Sequence, residues 1–460
     1  MKRLAAVLAV VLAALVTAQP APAAGPWTPP KVGHVWVIEL ENKSFDDVFV
    51  KNSNTYLWKT LPSQGKLLRQ YYGTGHFSLD NYISELSGIA PNIDTQADCQ
   101  TYTDVVGGVA LPLDSSGQVV GQGCVYPAAV KTLADQLEEH RLTWRGYMQD
   151  MGNDPTREET RCGRPVQNGQ PVDPKGVGGQ DSTQSATAKD QYAARHNPFI
   201  YFHSVIDDVA SCKAHIVPLL PHLKQDLKQV STTAAFSFIT PNLCDDAHDA
   251  TCAGKNFGGK NNQGGLYAAD QFLKVIVPLI QASPAYQKDG LIVVTLDESG
   301  DIGSAAGATS CCGEPTGPNT PAPGQFGPGG GRIGTLVISK RFVKPGTVSD
   351  VPYNHYSFLR SMEDLFRIRA TSTIPGSDGK GHLGYAGMAG LAPWGKDVYD
   401  VTGATASRPA TVTGRQTEGT GQGGSLASTG LPVVVPALGL LLLGAAATRR
   451  RRARGATSAG

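Results

Sequence analysis

The sequence has almost no net charge and lacks two motifs that mark common functional classes. Its 40 Lys and Arg residues nearly balance 39 Asp and Glu residues, which leaves a formal net charge of +1. This balance gives no general attraction to nucleic acid or anionic membranes, so we expect no nucleic-acid partner. A Walker-type phosphate loop is absent, which disfavours a nucleotide-driven transferase. No Cys-x-x-Cys pair suggests a zinc ribbon.

The first 24 residues have the composition of a secretory signal peptide. Residues 1–3 are Met-Lys-Arg, residues 4–16 form an apolar run, and residues 21–24 offer Ala-Pro-Ala-Ala for cleavage. The apolar run is too short and wrongly flanked for a stable membrane span. We therefore predict that residues 1–24 are a signal peptide and that the chain is exported.

The C-terminal residues 426–460 have the order of a surface-sorting signal. Leu-Ala-Ser-Thr-Gly at 426–430 precedes an apolar run at 431–447 and an arginine-rich tail. This order resembles a Gram-positive sortase signal, which implies cleavage after Thr429 by sortase and transfer to peptidoglycan. The positive-inside rule keeps the arginines cytoplasmic, and an uncleaved transmembrane anchor is the alternative. Residues 401–425, rich in Gly and Thr, are predicted to be a flexible stalk.

All eight cysteines lie between the two targeting signals. An even number of cysteines in an exported chain favours disulfides. The expected local pairs are Cys99 with Cys124 and Cys244 with Cys252, and a further candidate pair is Cys162 with Cys212. The adjacent Cys311 and Cys312 have no clear partner, and the connectivity stays open.

Residues 30–400 have the composition and patterning of one ordered domain. The chain is 40% hydrophobic and 17% charged, which suits a sizeable core. Candidate strands are residues 35–38, 234–239, 291–296 and 335–339, and candidate helices are residues 128–140, 267–282 and 356–366. This alternation predicts an α/β fold with a mostly parallel central sheet and helices on both faces.

Polar side chains follow three of the predicted strands. Because ligands bind beyond the carboxyl ends of parallel strands, we expect these side chains to share one site. Carboxylate, amide and imidazole groups together suit a hard or borderline divalent metal ion, whose identity stays open among zinc, manganese, calcium and magnesium. The residues in question are Glu41, Asn42, Asp246, His248, Asp297 and Glu298.

A serine at the start of a helical pattern is the candidate nucleophile. Apolar residues recur at helical spacing from Leu79 onward, which places Ser78 at the N-cap and Gly88 at the C-terminal stop. The unpaired N–H groups of a helix N-terminus suit a phosphoryl group. Beside a metal ion, the Ser78 hydroxyl becomes a competent nucleophile, and His76 lies two residues before it.

These motifs, in their order, resemble the phosphoesterase family that includes bacterial phospholipases C and acid phosphatases. The similar blocks begin at Glu41, His76, Arg195 and Tyr353, and the resemblance spans about residues 32–366. It implies an alkaline-phosphatase-like fold. Asp80 stands where the family usually has proline, and Tyr82 stands where the phospholipase C branch has arginine. No histidine closely follows the Asp297-Glu298 pair, as one does in the phospholipase C members. The sequence of these blocks therefore resembles the acid-phosphatase branch more than the phospholipase C branch.

The resemblance also bears on two further histidines. The alkaline-phosphatase-like fold uses a late histidine at its metal centre, so His355 is a candidate metal ligand, with a structural role as the alternative. His196 would either bind phosphate or hold its loop, and we leave it outside the core site.

The predicted reaction is two-step phosphoryl transfer. Ser78 attacks phosphorus, His76 or His248 protonates the leaving alcohol, and water hydrolyses the phosphoserine. The expected substrate is a phosphate ester, either a small molecule or a lipid headgroup. A phospholipase C-type phosphodiesterase and a non-enzymatic surface-binding protein are the alternative functions.

Overall fold

The structure is a computed structural model that describes residues 27–51, 56–105 and 113–400. The predicted signal peptide, stalk and sorting signal lie outside the described residues. Among the helices in the described ranges, none has the length and apolar character needed to cross a membrane.

Fourteen strands are found in the described residues. They are β1 (His34–Leu40), β2 (Lys66–Leu68), β3 (Tyr71–Tyr72), β4 (Thr101–Tyr102), β5 (Trp144–Met148), β6 (Val166–Gln167), β7 (Gln170–Pro171), β8 (Gly179–Gln180), β9 (Ile216–Pro218), β10 (Phe236–Thr240), β11 (Gly290–Leu296), β12 (Thr335–Ile338), β13 (Thr347–Ser349) and β14 (Tyr353–Asn354).

Eight of these strands form the central sheet, in the order β13-β2-β12-β11-β1-β10-β5-β9. The five strands from β11 to β9 are mutually parallel, whereas β12 runs antiparallel to both of its neighbours. Every residue of β1, β10 and β11 is buried, as expected for parallel strands covered on both faces. The predicted mostly parallel sheet is therefore confirmed.

Ten α-helices surround the sheet in the described residues. They are α1 (Phe45–Phe49), α2 (Leu61–Gln64), α3 (Ser78–Ser87), α4 (Leu133–Glu139), α5 (His203–Ile206), α6 (Val209–His215), α7 (Leu219–Asp226), α8 (Gly265–Gln281), α9 (Pro284–Asp289) and α10 (His355–Leu365). A π-helical turn covers Tyr56–Thr60, and short 3-10 turns cover Thr95–Ala97, Ala194–His196, Pro198–Tyr201 and Gly384–Gly387.

Helices cover both faces of the sheet, as the ring contacts of two neighbouring strands show. Phe238 of β10 packs edge-on against Tyr82 of α3, and it pairs in register with Val37 of β1. The preceding residue of β1, Trp36, packs against Tyr286 of α9. Since successive side chains of a strand point to opposite faces, α3 and α9 lie on opposite sides. The predicted α/β class is confirmed.

The cysteines pair as the local spacing suggested. Cys99 bonds to Cys124, Cys162 to Cys212 and Cys244 to Cys252. The sequence left Cys311 and Cys312 unassigned, and the structure joins these two neighbours to each other. Within the described residues, no cysteine is left unpaired.

Candidate active site

The three predicted strand ends lie side by side because β11, β1 and β10 are adjacent parallel strands. Backbone hydrogen bonds join the segments beyond those ends. The Glu41 N–H donates to the Asp246 carbonyl oxygen at 2.7 Å, and the Asp297 N–H donates to the Leu40 carbonyl oxygen at 3.0 Å. The structure thus brings Glu41, Asp246 and Asp297 together, and all three are buried.

Asn42 turns the chain at the end of β1 and ties it to the end of β11. Its φ of 42° lies in the left-handed region, which asparagine adopts more readily than most residues. This turn aims its backbone N–H at Asp297 Oδ1, at 2.8 Å, and its Nδ2 donates to Glu298 Oε1 at 2.6 Å. Ala247, beside Asp246, has a φ of 87°, a costly conformation for a residue with a β-carbon.

The Ser78 hydroxyl lies against the acidic centre. Its Oγ donates to Glu41 Oε2 at 2.6 Å, and the hydroxyl of Tyr82, one turn along α3, donates to Glu41 Oε1. Both oxygens of this one carboxylate are therefore held by α3. The helix brings its first turn to the end of β1, where the nucleophile was predicted.

The prediction that Ser78 is the N-cap of α3 is wrong by one residue. Phe77 takes the N-cap position, and Ser78 is the first residue of the helix. The Ser78 hydroxyl donates to Glu41 and does not accept a helix N–H, whereas Asp98 Oδ1 accepts the Leu79 N–H at 3.1 Å. The predicted stop is confirmed, because Gly88 ends the helix in the left-handed conformation, with a φ of 70°.

The three predicted histidines occupy different places. His76 is buried, its Nδ1 contacts Glu298 Oε2, and its Nε2 lies 3.1 Å from the Gly307 carbonyl oxygen. Burial lowers the pKa of the His76 imidazole, against smaller opposing contributions from that carbonyl and nearby carboxylates. His248 is exposed at the rim. Its backbone N–H donates to Asp246 Oδ1 at 2.9 Å, and its carbonyl oxygen accepts from Lys43 Nζ at 2.8 Å.

His355 lies behind Asp297, at the start of α10. Its Nε2 lies 2.6 Å from the Asp297 backbone carbonyl oxygen, and its Nδ1 lies 2.8 Å from Glu85 Oε1. Burial is the largest influence and opposes protonation of this ring, but the Glu85 carboxylate together with the Asp297 carbonyl and carboxylate outweighs it, so the pKa of His355 is raised. Both ring nitrogens thus engage protein groups, an arrangement that orients the Asp297 backbone.

Two residues outside the predicted core site complete its wall. The His196 ring stacks on Tyr82 with the ring planes 4° apart, and its Nε2 lies 3.5 Å from Glu41 Oε1. Burial and the neighbouring Arg195 lower the pKa of His196. The Arg195 guanidinium, 3.5 Å from Asp98, also interacts electrostatically with Glu41 and Asp246. The Arg195-His196-Asn197-Pro198 block was the available sequence signal for both residues.

The site concentrates buried carboxyl groups. Burial, then the Asp297 carboxylate, raise the pKa of Glu41 well above its ordinary value, and burial raises the pKa of Asp297. Burial also raises the pKa of Asp246 to about 7. Crowded carboxyl groups removed from water resist ionisation unless positive charge compensates them. This pattern is the electrostatic setting in which a bound cation is stabilising.

Several predicted metal ligands keep an oxygen atom without a protein donor, whereas both oxygens of Glu41 already accept hydrogen bonds. Within the described ranges, Asn42 Oδ1, Asp246 Oδ2 and Asp297 Oδ2 are buried and accept no hydrogen bond. Carboxylate and amide oxygens are the ligands that hard divalent cations prefer. The same ranges contain no group of three or more His, Cys, Asp or Glu side chains placed to hold a metal ion. The free oxygens have the chemistry of cation ligands, but the described side chains are not gathered around one point, so the metal stays a prediction.

Comparison with curated proteins finds fungal acid phosphatases. A phosphate-repressible acid phosphatase of Penicillium chrysogenum is 24% identical over 333 residues, covering 72% of this chain and 57% of the relative. An acid phosphatase of Aspergillus fumigatus is 25% identical over 266 residues, covering 58% of this chain and 44% of the relative. The chain thus spans about half the length of these relatives.

Comparison with solved structures finds a Vibrio parahaemolyticus protein in the alkaline phosphatase superfamily. The TM-score is 0.40 and the sequence identity 12%, with 74% of this chain and 67% of that chain covered. The family comparison is more specific, because the model of the Phosphoesterase family matches residues 50–369, more than half of the sequence. This chain therefore belongs to the Phosphoesterase family.

Proposed function

We propose that the protein is a phosphoric ester hydrolase of the acid-phosphatase type, which cleaves phosphomonoesters through a phosphoserine at Ser78. The observation that carries this proposal is the 2.6 Å hydrogen bond from Ser78 Oγ to Glu41 Oε2, at a buried acidic centre. The hydroxyl lies at the start of a ten-residue helix, where N–H groups favour a bound phosphoryl group. The family and the fungal relatives support the same chemistry.

In the first step, Ser78 Oγ attacks phosphorus and the ester P–O bond breaks. Glu41 Oε2, which already accepts the hydroxyl hydrogen, is placed to take that proton. Arg195 supplies positive charge near Glu41 and Asp246, where the phosphoryl oxygens would lie. Of the two candidate acids, His248 is the more available to protonate the leaving alcohol, because its ring is at the exposed rim whereas His76 is enclosed.

In the second step, a water molecule attacks the phosphoserine. His248, neutral after the first step, takes the water proton, and Glu41 returns a proton to Ser78 Oγ as that oxygen leaves. Inorganic phosphate is the second product and the starting protonation states are restored. Tyr82 and His196 hold the Glu41 carboxylate in place through both steps.

A divalent metal ion would be held by Glu41, Asn42, Asp246, Asp297 and Glu298. When bound, it supplies positive charge to the serine oxygen and to the phosphoryl group. Removing metal with a chelator should abolish turnover, and adding back one of zinc, manganese, calcium or magnesium should restore it. Full activity in the chelated protein, with no metal left by elemental analysis, would contradict the metal proposal.

The reaction class is tested by comparing phenyl phosphate with phosphatidylcholine as substrates of the purified protein. We expect release of phosphate from the monoester and little headgroup release from the lipid. The opposite preference would assign the phospholipase C-type alternative. If neither substrate is hydrolysed under any metal condition, the protein is not an enzyme of this class and the surface-binding alternative replaces the proposal.

We further propose that the enzyme is exported and attached to the cell wall at Thr429. The four disulfides support an oxidising compartment outside the cytoplasm. The Leu-Ala-Ser-Thr-Gly sequence at 426–430 supports attachment by sortase. Thr429→Ala should move the protein from a wall-linked pool to a membrane-held precursor. Extraction of all wild-type protein by detergent alone, with none released by muramidase, would replace sortase by a plain anchor.

A further inference from the structure

The turn that precedes the candidate nucleophile is bound by a side chain of the helix that follows it. Residues 74–77, which we call the approach turn, contain His76 and lead directly into Ser78, the first residue of α3. Asn81, one turn along α3, folds back onto the approach turn with both ends of its amide group. Asn81 is fully buried, so this contact is an internal one.

Five hydrogen bonds join the Asn81 amide to the approach turn. Asn81 Oδ1 accepts from the N–H groups of Thr74 and Gly75 at 2.8 and 3.0 Å, and from the Thr74 hydroxyl at 3.1 Å. Asn81 Nδ2 donates to the carbonyl oxygens of Gly75 and Phe77 at 3.0 and 2.9 Å. An asparagine amide has two N–H donors and one oxygen with two lone pairs, so these bonds use its full capacity.

The approach turn has no helix or strand of its own to pair its backbone groups. In the part of the chain that the structure describes, the N–H groups of Thr74 and Gly75 have Asn81 Oδ1 as their only acceptor. The next N–H, of His76, donates instead to the Pro323 carbonyl oxygen at 3.1 Å, in the long loop after β11. The turn therefore lies between that loop and α3, and its shape on the α3 side depends on Asn81.

Loss of the Asn81 amide would leave buried backbone groups of the approach turn without partners. A buried N–H or carbonyl group without a partner is costly, so the turn would move until these groups meet water or other protein groups. The helix has less freedom to move, because all ten residues of α3 are buried and Tyr82 is bonded to Glu41. The displacement would therefore concentrate where the turn meets the helix, which is the position of Ser78.

We propose that Asn81 is a positioning residue for phosphoryl transfer, which holds the approach turn so that Ser78 Oγ stays aligned with Glu41 Oε2 and with phosphorus. This inference rests on the proposed phosphomonoester hydrolysis at Ser78. Misplacing a reacting group by about 1 Å costs about 10²-fold in rate. Arg195, which supplies positive charge for the phosphoryl group, is bonded to other segments than the turn. Loss of the Asn81 amide should therefore lower kcat and leave KM nearly unchanged.

The test compares Asn81→Ala with Asn92→Ala, with phenyl phosphate as the substrate. Asn92 is the matched control, because it is equally buried and its Oδ1 also accepts from two N–H groups of a turn, those of Asp94 and Thr95. At a temperature where both variants are folded, Asn81→Ala should lower kcat about 10²-fold with KM within about threefold of wild type. Asn92→Ala should leave both constants within about threefold. Equal losses of kcat in the two variants would overturn the proposal.

A milder variant keeps the test decisive if Asn81→Ala does not fold. Asn81→Asp preserves the shape of the side chain and an oxygen for the Thr74 and Gly75 N–H groups, and it removes the amide that donates to the Gly75 and Phe77 carbonyl oxygens. We expect kcat to fall at least about tenfold, again with KM nearly unchanged. A wild-type kcat in Asn81→Asp would overturn the proposal.

Hydrogen exchange separates this inference from the proposed function, because it needs no turnover. In peptides that cover the approach turn, amide exchange should be at least about tenfold faster in Asn81→Ala than in wild type, and unchanged in Asn92→Ala. Unchanged exchange in Asn81→Ala would overturn the inference even if phosphatase activity is found, and so would faster exchange with a wild-type kcat. Faster exchange alongside no hydrolysis of phenyl phosphate by wild type would support the hold of Asn81 on the turn and overturn the proposed function.

Discussion

Glu41 is the residue on which the candidate site converges. Its carboxylate accepts hydrogen bonds from Ser78 and Tyr82 and has the His196 ring nearby, so one side chain joins β1, α3 and the segment before Pro198. A mechanism in which Ser78 is the nucleophile therefore requires β1, α3 and the segment before Pro198 to hold their positions around Glu41. Substitution of Ser78, and separately of Glu41 and Asp297, distinguishes the nucleophile from the acidic centre that supports it.

Ser78→Ala should lower kcat by about 10³-fold or more, because in the part of the chain that the structure describes no other hydroxyl donates to Glu41 Oε2. The lost hydrogen bond should lower the free energy of unfolding by about 1–3 kcal/mol. Steady-state kinetics and denaturant unfolding measure the two effects. Ser84→Ala is the matched control, since Ser84 lies on the same buried helix and bonds backbone carbonyls. Activity of Ser78→Ala within a few-fold of wild type would move the nucleophile elsewhere.

Glu41→Gln and Asp297→Asn should each lower metal occupancy and turnover together. Both changes keep the shape of the side chain and remove a charge from a centre where burial already disfavours carboxylates. Elemental analysis measures the metal occupancy, and steady-state kinetics measures the turnover. Asp289→Asn, at the opposite edge of the sheet beside His34, should change neither. Full occupancy and normal turnover in both site variants would exclude the proposed centre.

The sequence located the acidic residues of this site because each ends an apolar run. Glu41 and Asp297 follow apolar runs that are typical of buried strands, and parallel pairing then brings the strand ends together. Arg195 and His196 reach the site from a loop with no such pattern, so spacing alone did not assign them. The left-handed turn at Asn42 and the role of Asp98 in capping α3 depend on contacts between distant segments, which one sequence does not show.

At the scale of elements, the long apolar strands were predictable and the short or polar ones were not. β1, β10 and β11 were located to within about two residues. β5 was missed because its sequence, Trp-Arg-Gly-Tyr-Met, alternates polar and apolar character without a continuous run. β2 and β13 have three residues each and pair only through tertiary contacts. The helices predicted at 267–282 and 356–366 lie within two residues of α8 and α10, whereas the one predicted at 128–140 is wrong at its start, because the Thr132 capping box begins α4 at Leu133.

The end of α3 provides the prediction at this scale. Gly88→Ala should lower the free energy of unfolding by more than about 1–2 kcal/mol, because φ is 70° and the added Cβ would lie 2.4 Å from the Leu383 carbonyl oxygen. Gly169→Ala is the control for strain alone, since its φ is 75° and nothing lies within 4 Å of the added Cβ. Denaturant unfolding of both variants should show a larger loss for Gly88→Ala. Equal losses would mean that α3 tolerates movement of its end.

At the scale of the whole molecule, two disulfides should differ in what they stabilise. Cys162–Cys212 joins residues 50 apart, whereas Cys244–Cys252 joins residues 8 apart within the loop that carries Asp245 and Asp246. Because loop-closure entropy grows with loop length, removing the longer link should cost the more stability, about 4 kcal/mol against about 2–3 kcal/mol. Removing the shorter link should instead affect the site, since it releases the loop that bears a predicted metal ligand.

We therefore expect Cys244→Ser/Cys252→Ser to lower kcat/KM at least tenfold at a temperature where the protein is still folded. Cys162→Ser/Cys212→Ser should leave kcat/KM within about threefold under the same conditions while lowering the unfolding midpoint further. Kinetics at low temperature and thermal unfolding of both variants distinguish the two effects. If the two variants lose activity only in proportion to their loss of stability, the Cys244–Cys252 link does not position Asp246, and its contribution is to the fold alone.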